Sequence, residues 1–170
     1  MVTFRCTQRV LKQLHVKPSA AVPPATTRLG DWYAGWIAQR KPLVMLMNER
    51  TLLVVLVPAA PIASLLSRCV ASARDLLLAL EIPGADVDQE IAEMESPVIA
   101  ATADRRILGC MTEAILVLKY LQTREGTSTL RDAEIYFANT MYSTIKYEHP
   151  RDLVHDAFGL PRPPRRRFAK

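Results

Sequence analysis

The sequence is short of the residue types that carry most recognisable chemistry. It has three cysteines, three histidines and six glycines in 170 residues. Cys6, Cys69 and Cys110 are odd in number and far apart, and no two are spaced CxxC. That pattern supports neither a disulfide framework nor a zinc cluster. His15, His149 and His155 fit no HExxH or similar ligand spacing, and the scattered glycines form no phosphate-cradling loop. No metal and no cofactor is therefore expected. Long apolar runs are lacking too. The longest, residues 52–66, is broken by Ser64 and divided by Pro58 and Pro61, whereas a membrane-spanning helix needs roughly 20 apolar residues. Arg5 and Arg9 interrupt the first ten residues, which do not read as a secretory leader. The expectation is a reduced, cytoplasmic protein with no membrane contact.

What is present is an average globular composition, 49% hydrophobic and 23% charged, with a net charge of +5. The chain length favours one compact domain. The charge is unevenly placed. Arg162, Arg165, Arg166, Arg167 and Lys170 account for all of the excess. Residues 1–74 hold ten basic and two acidic side chains, and residues 75–160 hold seven basic and fifteen acidic. The body is thus neutral but split by sign. A domain over residues 1–158 and a disordered basic, proline-rich tail over 159–170 are expected.

Val2-Thr3-Phe4-Arg5-Cys6 alternates like a strand, and Thr7 sits where a helix would be capped before Val10, Leu11 and Leu14. Residues 17–26 carry three prolines and read as an exposed connection. Residues 30–38 are aromatic-rich and strand-like. The apolar runs 43–47 and 51–57 flank Asn48, Glu49 and Arg50 as a hairpin whose two faces are both covered. A helix then follows 3-4 spacing from Ile62 to Leu80 and stops at Pro83-Gly84. Asp86 opens a short acidic helix, and residues 97–101 are a last short strand. Asp104 reads as the N-cap of a helix that is apolar on most sides and hence central. An amphipathic helix over 130–146 and a brief one over 151–158 complete an α+β fold: a small, mostly antiparallel sheet built early in the chain and covered by several helices.

Three polar clusters interrupt apolar surroundings: Thr26 to Tyr33, Asn48-Glu49-Arg50-Thr51, and Thr102-Ala103-Asp104-Arg105-Arg106. Each has an ordinary account as a cap, a turn or a hairpin tip. If they converge, Arg28, Arg50 and Arg105 could hold a phosphate or carboxylate through forked hydrogen bonds. Asp31, Glu49, Arg50 and Arg105 are then the catalytic candidates, and Arg28, Trp32, Asn48, Arg50, Asp104 and Arg105 the ligand-binding ones. Trp32 and Trp36 could stack bases, although two tryptophans in an apolar segment also suit a core. The three cysteines read as buried rather than nucleophilic, and His149 and His155 as surface or packing residues.

Arg5-Cys6-Thr7, Thr27-Arg28-Leu29-Gly30-Asp31-Trp32-Tyr33-Ala34, Asn48-Glu49-Arg50-Thr51-Leu52 and Thr102-Ala103-Asp104-Arg105-Arg106-Ile107-Leu108-Gly109-Cys110-Met111 occur in that order. Over roughly residues 2–158 the chain resembles a family of short bacterial proteins known as a domain of unknown function. The resemblance implies no established activity. It matches at Arg28, Gly30, Asp31, Trp32, Asn48, Arg50, Arg105 and Gly109. It departs at Gly35, Asp104 and Arg106, and at Thr112-Glu113, several of them polar positions.

Three roles remain open at this stage. One is a binding module that engages a protein partner or a second copy of itself, with Arg162, Arg165, Arg166, Arg167 and Lys170 touching a nucleic-acid backbone. Another is a small cofactor-independent hydrolase or RNase-like toxin built on an Arg/carboxylate pocket. The third is an antitoxin or phage-defence accessory protein.

Overall fold

The computed structural model describes residues 1–123 and 129–164. Its strands are β1 (Thr3–Cys6), β2 (Trp32–Ile37), β3 (Leu43–Asn48), β4 (Val54–Pro58) and β5 (Val98–Ala101). Its helices are α1 (Gln8–Leu14), α2 (Leu65–Ala79), α3 (Gly84–Met94), α4 (Arg105–Thr123), α5 (Leu130–Ala138) and α6 (Pro150–Ala157). The strands form one sheet in the order β4-β3-β2-β1-β5. β2, β3 and β4 are antiparallel neighbours, but β1 runs parallel to both β2 and β5. The sheet is therefore mixed, antiparallel from β2 to β4 and parallel on both sides of β1. The long connection through α1 brings the chain back to start β2 in the direction of β1. The helical pair α2–α3 does the same for β5.

Alternation along the strands feeds two cores. Phe4, Trp32, Ala34, Leu46 and Val55 face one side and pack with residues of α1, α2, α3 and α6. Tyr33, Met45, Met47, Val54 and Leu56 face the other and pack with residues of α4 and α5. Covering both faces accounts for the nearly continuous apolar runs of the hairpin strands.

Two helices depart from expectation. α4 is not central. It lies on the outer layer, with Leu116 63% and Tyr120 60% exposed. The amphipathic pattern over 130–146 yields a helix only to Ala138. There Asn139 is the C-cap, and its Nδ2 donates to the Ile135 carbonyl. Lys146 and Tyr147 have positive φ, which turns the chain into α6. Pro150 occupies the first turn of α6, where its missing N–H is unneeded. Among the described residues no helix is long and apolar enough to cross a membrane.

Candidate functional site

Asn48 ends β3 and sits opposite Trp32. Its Nδ2 donates to the carbonyls of Leu29 (2.9 Å) and Asp31 (3.2 Å). Its Oδ1 accepts from Arg50 N, Thr51 N and Thr51 Oγ1. Asp31 accepts from Thr3 N at 3.0 Å and pairs with Arg5 at 3.1 Å. Glu49 accepts from Asp31 N at 3.3 Å, and Arg50 Nη1 donates to the Arg28 carbonyl. Gly30 between them has φ of +79°, and a Cβ there would stand 2.7 Å from Arg50 Nε. The first two clusters thus converge, but as a knot that fastens the turn before β2 to the hairpin tip. Glu90, buried on α3, closes it from below by accepting from Arg28 N and Leu29 N. Arg28 itself pairs with Asp86 at 2.9 Å.

Of the ligand-binding candidates, Trp32 and Asn48 are buried. Both are fully inaccessible, Trp32 within the core and Asn48 with its amide spent on main-chain and Thr51 partners. The third cluster joins the knot at one point, where Asp104 N donates to the Tyr33 hydroxyl at 3.2 Å. The Asp104 carboxylate caps α4 by accepting from Arg106 N and pairs with the Arg106 guanidinium at 2.7 Å. Those Arg106 contacts hold it below the usual carboxylate range. The Arg105 side chain is exposed and makes no hydrogen bond or ion pair among the described residues, so Asp31, Glu49 and Arg50 are together while Arg105 stands apart. The thiols of Cys6 and Cys69 are pushed up to about 12 by burial, which suits packing rather than nucleophilic chemistry.

The motif segments all lie within one matched stretch. A family model described as Domain of unknown function (DUF6933) matches residues 3–153. The chain belongs to the DUF6933 family. Searches of curated proteins and of solved structures returned no match. The DUF6933 span includes the knot, the sheet and the first half of α6.

Two cavities accompany these residues. A crevice of about 260 Å³ lies beyond the carboxyl ends of β1 and β2 and is lined by Thr7, Arg9, Gly35, Trp36, Met111 and Thr112, among others. Met111 Cε fills the space that a Cβ on Gly35 would take. The larger cavity, about 770 Å³, lies between the end of α2, α5 and α6. Its polar lining includes Glu81, Asp132, Asn139, His149, Arg151 and His155, and Pro163 and Pro164 border it from beyond the DUF6933 span. None of Asp31, Glu49, Arg50 and Arg105 lines either cavity.

α6 builds the charged wall of the larger cavity. Arg151 and His155 are four apart and therefore share a face. The Arg151 side chain is 10% exposed. Its Nε lies 3.4 Å from Asp152, and its Nη2 donates to the carbonyls of Pro164 (2.8 Å) and Pro163 (3.4 Å). The ring nitrogens of His155 lie 2.9 Å from the Pro161 carbonyl and 2.8 Å from the Leu80 carbonyl. His149 Nδ1 is 2.9 Å from the Asn139 carbonyl. A carbonyl only accepts, so a neutral His149 ring carries its proton on Nδ1 and presents a lone pair at Nε2. Residues 161–164 thus form a strap against α6, and Arg162 adds ion pairs to Asp156 and Glu148. Arg165, Arg166, Arg167 and Lys170 lie outside the described residues. Sequence reasoning passed over this wall. The signal was the i, i+4 pair Arg151–His155 beside apolar Val154, which puts two hydrogen-bonding side chains next to the packed stripe of α6.

Proposed function

We propose that this chain is a binding module that takes a small zwitterion into the cavity between α2, α5 and α6. The observation that carries the reading is the mixed charge on that wall: a nearly buried Arg151 guanidinium in a cavity also lined by Glu81 and Asp132. Its volume is within the usual range for small-molecule sites. A carboxylate or phosphate on the ligand matches the fork of Arg151. A simple anion would also meet the repulsion of the Glu81 carboxylate, so a ligand that bears an ammonium group as well fits better. His149 Nε2 offers a neutral acceptor. The hydrolase reading loses its groups by comparison, because Asp31 and Glu49 accept from main-chain N–H groups within the knot.

The test is a calorimetric titration with the amino acids, phosphoserine and phosphoethanolamine, and with inorganic phosphate and acetate as simple anions. A saturable response is expected for at least one zwitterion and a weaker one for the anions. Glu81→Gln and Arg151→Lys should each weaken the zwitterion's binding. Absence of any response, or a response indifferent to both substitutions, contradicts the reading.

The same reading gives the basic run a second contact, with a nucleic-acid backbone through Arg165, Arg166, Arg167 and Lys170. Its support is charge. Arg162 is engaged by Asp156 and Glu148, so the remaining four cations would carry the contact.

A further inference from the structure

His155 on α6 is 5% exposed, and both of its ring nitrogens face carbonyl oxygens. Nδ1 lies 2.9 Å from the Pro161 carbonyl and Nε2 lies 2.8 Å from the Leu80 carbonyl. A carbonyl has no proton to give, and a neutral imidazole has only one N–H. With a neutral ring, one of the two contacts would set lone pair against lone pair. Only the imidazolium, a donor at both nitrogens, satisfies them together. The setting suits a cation. Leu80 is the C-cap of α2, at the negative end of that helix's dipole. Glu81 follows it, and Asp132 and Tyr136 of α5 line the same cavity. On α6 itself Asp152 pairs with Arg151, four residues before His155, while Asp156 and Glu148 pair with Arg162 of the strap. The carboxylates in this neighbourhood therefore outnumber the guanidiniums. His149 is the second imidazole of the wall, but its Nδ1 faces the Asn139 carbonyl rather than the strap.

The two contacts of His155 are unequal. The one to Leu80 is buried and the one to Pro161 is partly open. A neutral ring therefore keeps its proton on Nε2 and turns a lone pair to Pro161. Pro161 begins the strap whose Pro163 and Pro164 carbonyls accept from Arg151 Nη2. The ion pairs of Arg162 are exposed and hold the strap only weakly by themselves. We propose that His155 is a proton-operated clasp on the cavity: the imidazolium holds residues 161–164 across the Arg151 fork, and loss of the Nδ1 proton releases them. The clasp regulates the site assigned above to a zwitterion, and rests on that reading. The strap closes as pH falls and opens as pH rises, over the range of about pH 5 to 8 in which imidazoles exchange their proton. Opening gives a ligand anion the Arg151 donor that Pro163 and Pro164 had occupied.

Nitrogen-15 spectra of the ligand-free full chain across that range test the clasp. At the acid end both His155 ring nitrogens should carry protons, and at the alkaline end Nε2 alone should. In the same step, amide relaxation at Arg162 should pass from that of a packed segment to that of a mobile one. His155→Gln has a single nitrogen to donate from, so Arg162 should be mobile at both ends in that variant. His149→Gln should keep the wild-type response. A His155 ring with one proton throughout, an Arg162 amide that does not change, or a strap that still tightens at the acid end in His155→Gln overturns the proposal. Calorimetry with phosphoethanolamine reads the site separately. From the acid to the alkaline end, affinity should rise about tenfold more in the wild type than in His155→Gln. Equal rises overturn the regulation. A strap that responds while no zwitterion of the series binds contradicts the ligand reading and leaves the clasp standing.

Discussion

At Asn48 a single amide makes five hydrogen bonds, four of them to main-chain groups. Removing it leaves buried donors and acceptors without partners. Asn48→Ala is expected to destabilise the fold by about 3 kcal/mol, measured by urea denaturation. A loss well under about 1 kcal/mol would show that water replaces the amide. A polar residue inside an apolar run reads the same from sequence whether it awaits a ligand or serves the backbone. Only the approach of Leu29 and Asp31, far back in the chain, separates the two. Glu134 makes a second residue-scale case. It is buried on α5, accepts from Leu56 N at 2.6 Å, and pairs with Arg131 at 2.8 Å. Burial nonetheless pushes its carboxyl up from 4.5 to about 7. The folded chain therefore keeps a proton that the unfolded chain releases over that window. This group's contribution to stability is complete below about pH 4.5 and is lost as pH rises towards 7, by an amount on the order of 2–3 kcal/mol. Urea midpoints at pH 5 and pH 7.5 should fall further apart in the wild type than in Glu134→Gln. Equal differences in the two proteins would contradict the assignment.

At the scale of elements, the strands and most helix starts were legible because their signals are local. The hairpin, the Thr7 and Asp104 helix starts and Pro150 all stand where residue chemistry puts them. Strand direction was not legible. Whether β1 runs with or against β2 depends on where α1 and residues 15–31 carry the chain, and periodicity is blind to that. The placement of α4 failed for a related reason. Its buried residues, Ile107, Met111, Ala114, Leu118 and Leu121, form one stripe, and the apolar Leu116 and Tyr120 outside that stripe made the helix read as apolar on most sides. α5 was overextended because an amphipathic stripe continues past Asn139 while the backbone turns. Its start is well fixed by a reciprocal capping box between Thr129 and Asp132. Thr129→Ala should cost about 1 kcal/mol, read by thermal denaturation. An unchanged melting temperature would mean that the cap contributes nothing.

For the whole molecule, the sign split in the sequence is partly met inside the fold. The acids of α3 face the basic half: Asp86 with Arg28, Asp88 with Arg74, and Glu93 with the Met1 amine at 2.6 Å. The body therefore has less reason to seek a charged partner than the raw counts imply. The excess resides at the C-terminal end, where Arg162 is committed to α6. Deletion of residues 165–170 should then abolish any salt-sensitive retardation of RNA or DNA in a gel while leaving the strap in place. Retardation that survives the deletion would move nucleic-acid contact to the body. Deletion of 161–170 goes further and removes the carbonyls that occupy Arg151 Nη2. It should strengthen the zwitterion's binding, read by the same calorimetry, and a weakened response would mean that the strap is part of the site instead.

The central claim is that the strapped cavity receives a ligand on Arg151 and His149. It is tested most directly by nitrogen-15 spectra of the arginine and histidine side chains, recorded on the full chain as phosphoethanolamine, phosphoserine and the amino acids are titrated in. Saturable shifts at Arg151 Nε and His149 Nε2, absent in Arg151→Lys, are the predicted result. Shifts confined to exposed arginines such as Arg105, or no shifts at all, would contradict it.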